Sequence, residues 1–212
     1  MSRLYLHPLP LRLWHWLTAA IVVSLLGTGW HLRFHGIAAL SPHDPVLHWH
    51  KGLGLAMVAV TVSWLVYAMA NESRRRHYLI RGRDLRGMVT QARFYLFTMF
   101  TGGENPFRPS AAAKYNPLQK LAYGGVMFIL LPLQALTGLL FMDIPLLRDQ
   151  LLSAKLIGLF DASHVLFSYL LALYLIVHLY MSTLGRTWFS HIKAMITGYE
   201  EEGGGGQDEV GQ

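Results

Sequence analysis

The chain has no cysteine. That excludes disulfides, iron–sulfur clusters and a thioether-attached haem on this polypeptide, and leaves the redox compartment open. Charge is scarce as well. Asp, Glu, Lys and Arg make up 14% of the 212 residues, against about 25% in soluble domains. Hydrophobic residues make up 53%, and the mean hydropathy is +0.33. The interiors of the longest apolar runs contain no charged residue at all, which argues against a charged ion path or a carboxylate-driven proton pump.

What is present is long apolar sequence. A hydrocarbon layer about 30 Å thick needs roughly 20 apolar residues per helix. Four runs qualify, at 11–31, 50–70, 121–141 and 162–184. Backbone groups within hydrocarbon must pair inside their own segment, so these runs predict helices. The expected fold is all-α, an integral-membrane four-helix bundle over residues 1–199. The remainder, 200–212, is acidic and glycine-rich, and is expected to be a disordered tail. The first run reads as a span rather than a cleaved signal peptide. It is too long for an h-region, and GTGWH (27–31) is a poor cleavage site. No internal repeat is visible.

Positive charge sets topology. With both termini cytoplasmic, 14 of the 18 Lys and Arg lie inside and 4 outside; the four are Arg33, Lys51, Arg148 and Lys155. The formal net charge of +6 is thus a topology signal with some attraction to anionic lipid. Nucleic-acid binding is a poor reading, because the basic residues border the spans. In the long cytoplasmic loop, 71–120, the run RDLRGMVTQARFYLF puts Leu85, Met88, Val89, Ala92, Tyr95 and Leu96 near one helical face. This predicts an interfacial amphipathic helix, with a loop helix packed on the end of the bundle as the alternative.

Histidines are the polar exception inside the spans. His164 and His178 lie fourteen residues apart on the fourth span, about 21 Å along a helix axis and about 40° from the same bearing. They share a face at opposite depths. His15 enters span 1 from the cytoplasmic side, and His50 enters span 2 from the outer side. Level pairs therefore form, His15 with His178 and His50 with His164. Two facing histidines in a helical bundle, without cysteine or carboxylate, suit axial ligation of a flat haem, and two pairs suit two haem b groups. His31 is turned about 160° from His15 and is set aside. His48 and His50 are about 200° apart, so only one can face the bundle; His50 is preferred because small residues follow it in HKGLG, and His48 stays a competitor. The remaining histidines, including His7, His35, His43, His77 and His191, read as interfacial polar residues. Gly27, Gly29, Gly52, Gly54, Gly124, Gly125 and Gly138 lie in or beside the spans, where small residues allow close helix approach with or without a cofactor. Arg12, Arg33 and Lys51 are placed to neutralise haem propionates, and Trp14, Trp16, Trp30, Trp49 and Trp188 to anchor at the interface.

These features resemble the di-haem cytochrome b subunits of membrane-bound formate dehydrogenases, and the related thiosulfate-reductase-type and nickel–iron-hydrogenase-type b cytochromes, a bacterial cytochrome b561-like family. The resemblance runs from about Arg12 to Glu200. It is carried by RLWHW in span 1, the His-x-x-x-Gly of HKGLG, KYNPLQK (114–120) before span 3, the two span-4 histidines and HIKAMITG (191–198). Where the formate dehydrogenase subunits have a compact cytoplasmic loop, this chain has a longer basic and aromatic segment around 74–109, which looks nearer the thiosulfate-reductase-type group; hydrogenase-type cytochromes show a different start to span 3.

The resemblance implies that His15 and His178 bind an inner haem and His50 and His164 an outer one. It implies a quinone site (menaquinone or ubiquinone) beside the inner haem, lined by Asn116 and Gln119, whose amides can hydrogen-bond a quinone carbonyl. Asn116 equally reads as a helix N-cap before Pro117. The implied role is that of a non-catalytic, multi-pass electron-transfer subunit of the bacterial inner membrane. It would link a periplasmic catalytic subunit, through an iron–sulfur or multihaem subunit, to the quinone pool. The rival readings are a structural membrane anchor with little or no redox role, and a histidine-based metal transporter, which the apolar span interiors disfavour.

Overall fold

The structure is a computed structural model that describes residues 3–34, 45–70, 82–107, 115–143, 153–184 and 187–201. Apart from one pair of three-residue strands, the regular elements among these residues are helical. Four helical segments are long and apolar enough to cross a membrane. They are α1 (Leu9–Phe34), α2 (Pro45–Met69), a third span over Pro117–Leu140, and α6 (Ala154–Ser182). The helices begin earlier than the apolar windows in all four cases. Hydropathy marks the stretch that suits hydrocarbon, whereas helix starts answer to local chemistry. Pro45 opens α2 and Pro117 opens the third span, each at the first helical position, where a missing N–H costs nothing.

The third span is not uniform. It consists of α4 (Pro117–Gly125), a π-helical turn (Val126–Leu130) and α5 (Leu131–Leu140). The Leu131 N–H reaches back to the Val126 carbonyl, and Pro132 follows at once. Proline has no N–H to close the next α-helical bond, so the turn before it widens instead of breaking.

The chain divides into two compact units, residues 21–171 and residues 1–20 with 172–212, with α1 and α6 contributing to both. The core of the larger unit is Ile21, Met57, Leu131 and Leu171, one residue from each span, with Val22, Leu25, Val60, Val126, Met127 and Leu130 packed on it. The outward faces are apolar too: Val23, Val62, Val66, Ile129, Leu136 and Leu166 are exposed. A helix bundle greasy on both faces is built for lipid.

In the same unit, α3 (Gly82–Leu96) is the amphipathic helix expected in the loop. Its buried face is mixed and includes polar groups. Asp84, Gln91 and Phe94 are buried, and Asp84 makes an ion pair with Lys120 at 3.3 Å. Gly87 sits so close to Pro117 that an added Cβ would come within 2.7 Å of the ring. Leu85, Val89, Leu96, Phe97 and Phe100 are exposed. The helix therefore packs on the third span and still presents an apolar outer face. Tyr95 departs from that face and turns inward to Asn116.

In the smaller unit, β1 (Arg3–Tyr5) pairs antiparallel with β2 (Tyr199–Glu201), in the register Arg3 to Glu201 and Tyr5 to Tyr199. Before β2, α7 (Ser190–Thr197) ends on Gly198 at φ +92°, the left-handed conformation that favours glycine. A Cβ there would also meet the Tyr5 ring at 2.7 Å and the His7 carbonyl at 2.8 Å. Leu6 and His7 both donate to the Gly198 carbonyl. Glu200 and Glu201 are therefore strand residues, not the start of the tail; 202–212 lie outside the described residues. The clasp holds the N-terminal and C-terminal segments side by side.

Candidate functional site

Helix α1 carries His15 and α6 carries His178, and their rings lie 6.1 Å apart, centroid to centroid, at 51°. Helix α2 carries His50, and α6 again carries the partner, His164; these rings lie 6.4 Å apart at 79°. Both expected pairs are thus brought together. His48 is exposed on α2, and the ring that meets His164 is that of His50.

The separations have a simple meaning. A metal–imidazole bond is about 2 Å long. One metal between two imidazoles puts the bonded nitrogens about 4 Å apart, and roughly 1 Å more on each side reaches the ring centres. The sum, about 6 Å, is the spacing of both pairs. Among the described residues, no group of three or more His, Cys, Asp or Glu could hold a metal ion. Two ligands from the protein therefore suit a metal whose other ligands come with it, as in a haem.

The surroundings of the two pairs differ. Around the second, the Thr28 hydroxyl lies 2.8 Å from His50 Nδ1, and the Thr137 hydroxyl 3.0 Å from His164 Nδ1. The Gln134 side-chain amide lies 3.2 Å from His164 Nε2. A Cβ on Gly29 would stand 3.4 Å from His50 Cε1, and one on Gly138 would stand 3.2 Å from His164 Cε1. Phe141 meets His164 edge-on at 6.0 Å. Around the first pair, Trp16 meets His15 edge-on at 5.1 Å, and Tyr174 stacks on His178 at 5.7 Å. Arg12 Nε, His15 Nδ1 and Thr18 Oγ1 are buried without hydrogen-bond partners. They recur every three residues along α1. Orphaned polar atoms of this kind are rare in a finished interior and fit a group that brings polar atoms of its own.

Sequence reasoning missed Thr28, Thr137 and Gln134. The signal available was a Thr-Gly doublet, at 28–29 in span 1 and at 137–138 in span 3.

Asn116 and Gln119 lie at the start of α4 and form a capping box. Asn116 Oδ1 accepts from the Gln119 N–H at 2.8 Å, and Gln119 Oε1 accepts from the Asn116 N–H at 3.1 Å. The Asn116 amide donates to the Tyr95 hydroxyl at 3.1 Å. Burial raises the Tyr95 pKa, and hydrogen bonds with Gln91 and Asn116 offset part of the rise. The cap uses Gln119 Oε1 and its backbone N–H, not Nε2. Of the cations expected near propionates, Arg12 donates through Nη1 to the Ile196 carbonyl, and Lys51 to the Met142 carbonyl at 3.1 Å.

A family model described as prokaryotic cytochrome b561 matches residues 6–198. The chain is 34% identical over 201 residues to an Escherichia coli (strain K12) protein named "Putative cytochrome YdhU", covering 93% of this chain and 75% of that protein. No solved structure matches.

Proposed function

We infer that this chain, which belongs to the prokaryotic cytochrome b561 family and is therefore a membrane haem b electron-transfer protein, holds two haem b groups and exchanges electrons with quinone. The observation that carries this reading is the pair of ring separations, 6.1 Å and 6.4 Å, on helices that span a membrane. His15 and His178 would hold one haem, and His50 and His164 the other. Bound haem supplies a reversible one-electron couple, whose potential the protein sets through the axial ligands and their surroundings. The chain's own contribution is placement. Helix α6 carries one ligand of each pair, fourteen residues apart in the sequence.

The 14-to-4 split of positive charge supports both termini facing the cytoplasm, in a bacterial inner membrane. Quinone is proposed to bind at the start of α4, where Gln119 Nε2 is the donor left by the cap. Asn116 shapes that corner through Tyr95. The electron partner is proposed to be a periplasmic catalytic subunit acting through an iron–sulfur or multihaem subunit, as the resemblance to formate dehydrogenase and thiosulfate reductase cytochromes implies.

The test is a reduced-minus-oxidised visible spectrum with a pyridine haemochrome count on the purified protein. Two b haems per chain are expected. His50→Ala and His164→Ala should each remove one and the same haem, and His15→Ala and His178→Ala the other. A folded, assembled preparation without haem would overturn the reading in favour of a structural anchor.

A further inference from the structure

The two histidine pairs are not equivalent, and the difference lies in two Thr-Gly doublets. Thr28 has one hydroxyl hydrogen, and the carbonyls of Ser24 at 2.8 Å and Leu25 at 3.2 Å are there to receive it. Its oxygen can then only accept from the histidine at 2.8 Å, so the proton of His50 is on Nδ1. Thr137 repeats the arrangement, with the carbonyls of Leu133 and Gln134 each at 3.0 Å and His164 Nδ1 at 3.0 Å. An independent contact agrees: the Gln134 amide donates to His164 Nε2, so that nitrogen carries the lone pair. The next residue in each doublet, Gly29 or Gly138, makes room for the Cε1 atom of the same ring. Each doublet thus grips one imidazole at Nδ1 and Cε1 and leaves Nε2 for a metal. Gln134 Oε1 is buried without a partner, and loading the site requires that amide to release Nε2. Nothing equivalent grips His15, whose Nδ1 is buried and unpartnered.

We propose that Thr28 and Thr137 are positioning residues that lock the His50 and His164 tautomers and lower the redox potential at that pair alone. The proposal rests on the two-haem reading. An Nδ1–H that is hydrogen-bonded makes the imidazole a more basic ligand, and a more basic ligand favours ferric over ferrous iron.

The experiment is a potentiometric titration of the intact protein, followed by visible absorbance, for wild type, Thr28→Val, Thr137→Val and the two serine variants. Losing one hydrogen bond of ordinary net strength is expected to change the ferric-to-ferrous ratio roughly threefold to tenfold at fixed potential. For a one-electron couple that is an upward shift of about 30–60 mV. One couple should move and the other stay, and Thr28→Ser and Thr137→Ser should restore the wild-type value. Where a valine variant loses haem, recovery of the haem by serine supports the proposal and failure to recover overturns it. Unmoved potentials in both valine variants, or equal shifts with serine and valine, would also overturn it. The wild-type haem count tests the two-haem reading separately: two haems with flat potentials would sink only the role of the threonines.

Discussion

At the scale of single residues, hydrogen is a working substituent. Gly138 lies against His164, and a methyl in place of its hydrogen would stand 3.2 Å from the ring carbon. That is tighter than ordinary contact, and the two ring nitrogens beside that carbon are already engaged by Thr137 and Gln134. A close-packed interior does not absorb such an insertion freely. On the two-haem proposal, Gly138→Val is therefore expected to displace His164 and to reduce the haem count from two to one, with the haem proposed at His15 and His178 retained. Gly52 has nothing within 4 Å of an added Cβ, so Gly52→Ala should keep both haems. A pyridine haemochrome assay on the two variants checks this. The same logic explains why the glycines could not be ranked from composition alone. Gly27 and Gly52 have empty space around them, whereas Gly29 and Gly138 each face an imidazole.

At the scale of elements, α3 is turned so that Asp84 and Gln91 are inside with Phe94, while Leu85, Val89 and Leu96 are outside with Arg86 and Arg93. Asp84 and Lys120 are both nearly buried, with side-chain exposures of 8% and 11%. Such a pair contributes little net stability, yet removing one partner strands the other's charge, at a cost of about 3–5 kcal/mol. Asp84→Ala is expected to loosen α3 from the third span, which would show as faster amide exchange in residues 82–96 and a lower melting temperature in detergent. Haem content should not change, because α3 supplies no ligand. Adding Lys120→Met to Asp84→Ala should recover much of the loss by removing the stranded charge. The exposed Leu85, Val89, Leu96, Phe97 and Phe100 form the kind of face that lies at a lipid boundary.

At the scale of the whole molecule, the strand clasp and the charge distribution make the same demand. Pairing of Arg3–Tyr5 with Tyr199–Glu201 places both ends of the described chain on one side, and four spans satisfy that. The positive-inside bias is the ground for proposing the cytoplasmic side. Reporter fusions after residue 212 and before residue 1 are both expected to give cytoplasmic signals. A periplasmic signal from both would reverse the orientation, and with it the membrane face at which the start of α4 meets quinone.

The amino-acid sequence by itself determined the four spans, the absence of any thiol chemistry and the candidate histidines. Each of these depends on residues near one another along the chain, or on helical period alone. Fourteen-residue spacing puts His164 and His178 on one face of any helix, whatever packs against it. Asn116 before Pro117 reads as a cap for the same reason. Only the tertiary structure decided that His50, not His48, meets His164, and that Thr28 and Thr137 grip these rings. It alone showed that α3 turns Asp84 rather than Leu85 inward, and that Glu200 and Glu201 form a strand. Those outcomes join groups 22, 27 and 36 residues apart or more. No local period or propensity encodes such a pairing. It arises when packed helices bring a hydroxyl, a carboxylate or an open strand edge to the polar group that would otherwise be left unsatisfied.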